Sequence, residues 1–260
     1  MCNAYFYVDN CLGNKSKKNE GKIKMDVIFA HRGASFDAPE NTLPAFELAL
    51  QQGSKAIEFD VHLTKDGEIV VCHDDEIQRT TDGTGYIFEQ TLDELKERDA
   101  GSWFAPEFAG TKIPTLDEVL QKCSKDIFIN IEIKNVPIFH QGIEEKIIEK
   151  LHSYQYIDNV VISSFDHTAL LRVQQLEPKL KLGILFGDHL VEPWNYVKST
   201  GIKAYSVHPI FTFVTKEWVE KFHHMGMKIF AYTVDDRKYY EMLDQIGIDG
   251  IFTNIPARFK

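Results

Sequence analysis

The sequence predicts an α/β protein folded as a single (β/α)8 TIM barrel, with a small inserted lobe after the third strand. Three observations predict it. Short β-rich apolar runs alternate with helix-period segments from Asp26 onward, the pattern of a parallel sheet with crossover helices. Eight such runs can be placed, and no glycine-rich dinucleotide loop follows the first, which favours closure over an open doubly wound sheet. The length of 260 residues also suits one barrel of roughly 250 residues.

The first strand is expected at 27–30 (VIFA), followed by a helix over 42–52 that Gly53 stops. The second is 55–60 (KAIEFD) and the third 69–72 (IVVC). Only eight residues, ending in LTKDGE, separate them, too little for a crossover helix. The stretch 75–114 is rich in glycines and aromatics and holds a short TLDELKER helix, so it is read as a lobe over one barrel mouth. Regular alternation resumes with a helix at 115–123 and a strand at 127–133 (IFINIEI). Helix 141–153 and strand 159–164 follow, then helix 166–177, with Asp166 as its N-cap, and strand 180–185. The segment 190–199 is a weaker helix before strand 203–207. Helix 215–225 ends at Gly226, strand 228–233 comes next, and helix 236–247 ends at Gly247.

Composition excludes several classes. Apolar residues make up 43% and charged residues 26%, and no apolar run approaches the roughly 20 residues of a membrane span, so no stable membrane insertion is expected. Thirty-nine acidic against 29 basic side chains give a net charge of -10, which repels polyanions and disfavours nucleic acid as a partner. Cys2, Cys11, Cys72 and Cys123 are scattered without a CxxC pair, so neither a zinc ribbon nor a disulfide framework is indicated and a reducing, cytoplasmic setting is expected. Residues 1–25 lack the basic start and apolar core of a secretory signal and are expected to be a disordered extension, with Met25 an alternative start; the barrel domain is 26–260.

Side chains alternate along a strand, so Glu58 and Asp60 share one face, and Glu132 and Lys134 share another. Three acids brought together need a compensating cation, and an all-oxygen set suits one divalent ion, Mg2+ or Ca2+, better than zinc. Salt bridges at a barrel rim could account for either pair alone, but the conjunction argues for a site. His31 and Arg32 follow the first strand and His73 the third, at the strand ends where barrels carry their chemistry. A cation, Arg32 and Lys134 for phosphate oxygens, and two imidazoles for proton transfer make a complete set for phosphodiester cleavage. No GxSxG elbow or HExxH motif supports a serine hydrolase or a zincin, and Ser163 and Ser164 are read as structural.

The stretches AHRGASFDAPENTLPAF (30–46), IEFDVHLTKDGEIVVCHDDEIQRTTDGTG (57–85), IPTLDEVL (113–120), INIEIK (129–134), VISSFD (161–166) and IDGIFTN (248–254) together resemble the bacterial glycerophosphodiester phosphodiesterases. That resemblance implies a barrel with an insertion after the third strand, a divalent ion on Glu58, Asp60 and Glu132, and His31 and His73 as general acid and base in an unassigned order. It implies phosphate contacts from Arg32 and Lys134, and a supporting role for Glu40. The reaction it implies is attack of the glycerol 2-hydroxyl on phosphorus, a cyclic phosphate, and hydrolysis to glycerol 3-phosphate with release of an alcohol. Tyr232 stands where the family commonly has tryptophan, which bears on leaving-group preference. His62 continues the Glu58–Asp60 face and is expected at a solvated strand end; Trp103 and Phe104 are expected to pack inside the lobe. The competing expectations are a lysophospholipase D-like or sphingolipid phosphodiesterase, and a silent phosphodiester-binding barrel. Oligomeric state is left open.

Overall fold

Parallel pairing runs without a break through eight strands of the computed structural model, which describes residues 25–259. They are β1 (Val27–His31), β2 (Ala56–Leu63), β4 (Phe128–Ile133), β5 (Val160–Ser164), β6 (Lys181–Phe186), β7 (Ser206–Pro209), β8 (Lys228–Ala231) and β9 (Gly250–Thr253). β1 pairs with both β2 and β9, which closes the barrel. The expected extension lies outside the described residues except for Met25, which is buried and donates its backbone N–H to Asp244 Oδ1 at 3.1 Å.

Two strands depart from expectation. β3 (Ile69–Val71) pairs antiparallel with β2, Val61 opposite Val71 and Leu63 opposite Ile69, so it stands outside the barrel wall. The connection between them, residues 64–68, is too short to return a chain to parallel, and the hairpin is the geometry it permits. The eighth barrel strand is instead β9, a four-residue GIFT segment.

The helices lie outside the strands: α1 (Leu43–Gln51), α2 (Leu92–Glu97), α3 (Leu116–Lys122), α4 (Ile143–Ser153), α5 (His167–Leu176), α6 (Pro193–Thr200), α7 (Lys216–His224) and α8 (Arg237–Ile246). Their starts follow from local chemistry. Thr91 and Thr115 form capping boxes with Glu94 and Glu118, and Asp166 accepts from the Thr168 N–H as the sequence suggests. None is long and apolar enough to cross a membrane among the described residues.

The main apolar core fills the layer between strands and helices. A smaller cluster plugs the barrel axis: Phe29 stacks on Phe252 at 4.6 Å and meets Phe230 and Phe128 at 5.3 and 5.5 Å. Below this cluster Lys181 Nζ lies 5.8 Å from the Phe128 ring, while the polar side chains of the site lie above it. Ile77, Ile87, Leu95 and Ile113 of the segment 75–114 pack with Val70 and Cys72 in a core of their own, over the outer hairpin.

Candidate active site

Strand register brings the functional side chains to one level: Glu58 on β2 pairs with His31 at the end of β1, and Asp60 pairs with Glu132 near the end of β4. His31 closes β1, and the chain then turns through Arg32 (φ 57°) and Gly33 (φ 86°). A Cβ on Gly33 would meet the Ala45 carbonyl carbon at 2.6 Å, so glycine is what allows this turn to press on α1. The turn aims the Arg32 backbone N–H at Glu58 Oε2 (2.9 Å) and its guanidinium at Glu40 Oε1 (2.8 Å) and Asp60 Oδ2 (3.5 Å).

Glu58, Asp60 and Glu132 each offer an oxygen within 4.8 Å of the others. Lys134 Nζ bridges the group, 2.8 Å from Glu132 Oε1 and 3.6 Å from Asp60 Oδ1. Asp60 also accepts from Asn41 Nδ2 at 2.9 Å. Burial works against charge on all three acids, but Lys134 and Arg32 outweigh it at Asp60 and hold that carboxyl well below its usual range. Glu58 is driven the other way, by burial and by the charges of Asp60 and Glu132, and Glu132 is pushed up to about 7, chiefly by burial. Three carboxylates against two local cations leave negative charge unbalanced. That imbalance, on oxygen donors alone, fits a hard divalent ion.

His31, Arg32, Glu58, His73, Glu132 and Lys134 line one cavity of about 220 Å³. Phe165 and Tyr232 wall it, the Tyr232 hydroxyl donating to the Phe186 carbonyl at 2.8 Å, while Asn130, Ser163 and His208 form its floor. Asn130 Nδ2 donates to Ser163 Oγ (2.8 Å), which leaves the buried Asn130 Oδ1 without a partner among the described residues; His208 Nδ1 is likewise unpartnered. Asp60 lies beneath the cavity wall, 1% exposed, and Glu40 lies behind Arg32. Trp103 packs edge-to-face on Phe104 yet remains 40% exposed, away from the cavity.

The two histidines sit in different electrostatic settings. His31 Nδ1 meets the side-chain oxygen of Asn254 at 2.8 Å. Asn254 Nδ2 donates to Asp235 Oδ2 at 2.6 Å, which forces its oxygen toward His31, so His31 Nδ1 must carry the proton and Nε2 is a free base. Burial and Arg32 pull the His31 pKa down to about 4. His73 Nδ1 instead donates to the Asp74 carboxylate at 2.6 Å, and Asp74 is held in turn by Arg79 (Nε to Oδ2, 2.5 Å). Burial lowers the His73 pKa as well, but a carboxylate partner favours the imidazolium more than an amide does.

Comparison with known proteins places this geometry. Residues 31–258 match the glycerophosphoryl diester phosphodiesterase family. The chain is 44% identical over 231 residues to a glycerophosphodiester phosphodiesterase of Caldanaerobacter subterraneus subsp. tengcongensis, covering 88% of this chain and 94% of that one. The chain belongs to the glycerophosphoryl diester phosphodiesterase family. It is also 40% identical to a glycerophosphodiester phosphodiesterase of Bacillus altitudinis, over 90% of this chain and 96% of the other. Among solved structures, a phosphodiesterase of Oleispira antarctica in complex with the product sn-glycerol-3-phosphate superimposes with a TM-score of 0.82 at 33% identity, covering 90% of this chain and 95% of that one.

Within this family member, sequence reasoning overlooked Asn41, Arg79, Asp235 and Asn254. Arg79 joins Glu40 through two hydrogen bonds of 2.8 Å, besides its contact with Asp74. Asn254 lies one residue beyond β9, a strand the sequence did not reveal, on the rim that carries His31, so no local signal marked it. The expectation for His62 is corrected: it is 0% exposed, enclosed with His140 and Asp75 where the loops after β3 and β4 meet.

Proposed function

We propose that this chain hydrolyses glycerophosphodiesters to glycerol 3-phosphate and an alcohol, through a divalent-cation-dependent reaction in which His31 is the general base and His73 the general acid. The observation that carries the assignment is the contrast in hydrogen-bond partners, a neutral amide on His31 Nδ1 and a carboxylate on His73 Nδ1.

Glu58, Asp60 and Glu132 would hold one Mg2+ or Ca2+, which when bound neutralises phosphoryl charge. Arg32 and Lys134 would bind and orient the phosphate oxygens from either side of that cluster. His31 Nε2 takes the proton of the glycerol 2-hydroxyl as its oxygen bonds to phosphorus, and His73 gives its proton to the departing alcohol oxygen. A cyclic phosphate results. The roles then reverse, with neutral His73 taking a proton from water and the His31 imidazolium returning one to the 2-oxygen. Glu40 and Arg79 act as positioning groups, the first on Arg32 and both, through Asp74, on the His73 side. Tyr232 and Phe165 border the cavity beside the scissile bond's exit and bear on alcohol preference.

The test is release of glycerol 3-phosphate from glycerophosphocholine and glycerophosphoethanolamine with Mg2+, with Ca2+ and with a chelator, beside His73→Ala. Metal-dependent release that the variant loses is expected. Absence of release with either metal, from folded protein, would overturn the assignment to water-soluble diesters and turn attention to lysophospholipids.

A further inference from the structure

Beneath the segment 75–114, on the far side of the His73 backbone from the cavity, lie two buried imidazoles and a carboxylate that the proposed reaction does not use. His62 and His140 are 0% and 4% exposed, their rings 85° apart, with His62 Nδ1 2.9 Å from His140 Nε2. Asp75 Oδ1 stands 3.7 Å from His62 Nδ1. The three ligand atoms lie within 4.8 Å of one another.

We propose that His62, Asp75 and His140 form a binding site for a first-row transition-metal ion such as Zn2+, separate from the carboxylate cluster. Tautomer chemistry supports it first. His62 Nε2 is 3.2 Å from the His73 carbonyl oxygen, and only an N–H can face a carbonyl, so Nε2 is protonated and Nδ1 presents a lone pair to His140 and Asp75. A ring whose second nitrogen donates to a backbone carbonyl is the usual arrangement of a metal-bound histidine.

A simple hydrogen bond between the two rings does not account for the third member. Asp75 Oδ1 is buried without a hydrogen-bond partner among the described residues, and neutral imidazoles do not compensate its charge. A cation between the three groups does. Two nitrogens and one oxygen suit zinc, whereas the oxygen-only cluster of Glu58, Asp60 and Glu132 suits Mg2+ or Ca2+. The fit needs little movement, since nitrogens bound tetrahedrally at about 2.0–2.1 Å lie about 3.3 Å apart. Asp75 also lines a surface bowl of about 410 Å³ with Arg79, Tyr86 and Pro137, which gives an ion a path inward. On the other side His140 is anchored by its backbone N–H on Asn135 Oδ1 at 2.7 Å.

The inference does not rest on the reaction proposed above, and its test needs no turnover. The full chain, stripped with chelator, is dialysed against Zn2+ in excess Mg2+, and bound zinc is measured by atomic emission for wild type, Asp75→Asn, His140→Ala and Glu132→Gln, with far-UV circular dichroism as a folding control. About one zinc per chain is expected in wild type and in Glu132→Gln, falling at least tenfold in occupancy in His140→Ala and in the nearly isosteric Asp75→Asn. Absence of bound zinc in wild type, zinc that survives both Asp75→Asn and His140→Ala, or zinc lost only in Glu132→Gln would each overturn it.

Discussion

Replacing Asn254 by leucine removes the single acceptor that holds the His31 Nδ1 proton while leaving a side chain of similar size. The lost contact is 2.8 Å long and becomes charge-assisted once His31 accepts a proton. Such a bond is worth about 1.5–3 kcal/mol, or about 10- to 150-fold in rate. Because the charged ring exists only after proton transfer begins, the loss falls on kcat more than on KM. Asn254→Asp separates orientation from mere occupancy: it keeps an acceptor for Nδ1 but sets a carboxylate against Asp235, whose Oδ2 now accepts from Asn254 at 2.6 Å. The aspartate variant is therefore expected to retain more activity than the leucine variant and to move the acid limb of its pH profile upward, since a carboxylate raises the imidazole pKa. Steady-state kinetics on glycerophosphocholine at saturating metal, from pH 4 to 9, reads both effects. A leucine variant within about twofold of wild type across that range, or one impaired through KM alone, would refute the tautomer argument.

Other expectations follow from the same geometry. The base must be neutral, activity is lost as pH falls through its pKa, and burial with Arg32 places that pKa near about 4; the acid limb of kcat/KM should lie well below the ordinary histidine value of about 6.5, and a limb at that value would count against His31 as the base. Arg79→Ala removes the clamp on both Glu40 and Asp74, so kcat/KM should drop by about tenfold, while Tm, read calorimetrically, moves little because a partly exposed ion pair contributes about 0–1 kcal/mol. Glu58→Gln relieves repulsion from Asp60 and Glu132; in chelator it should melt higher, by about 2–4 °C for each kcal/mol relieved, yet lose metal-dependent turnover. A lower Tm in chelator would mean that the carboxylates are balanced without a cation.

Much of this was readable from side-chain periodicity. Alternation in EFD and EIK sufficed to place Glu58 with Asp60 and Glu132 with Lys134, because a strand leaves no other choice of face. Strand direction was harder. IVV has the composition of any buried strand, and only the short LTKDGE connection hinted that β3 runs antiparallel. The GIFT segment was missed because four residues beyond the Gly247 helix stop carry too little periodicity to be told from a tail. His62 and Asn254 were opaque for a different reason: their surroundings come from residues far along the chain, His140 for the first and Asp235 and His31 for the second. No local pattern encodes such meetings.

The phenylalanine plug has a consequence for selectivity. With Phe29, Phe128, Phe230 and Phe252 sealing the axis, the cavity is a blind cup with one mouth. A cup measures only the end of a molecule that reaches its floor. With the glycerol end at the floor, whatever is joined to the other side of the phosphate would stay at the mouth, bordered by Phe165 and Tyr232, and it would have to depart before the portion held below could follow. Discrimination would then fall on the inserted end of the diester, and one rigid barrel could accept a range of alcohols without remodelling any residue near the phosphorus.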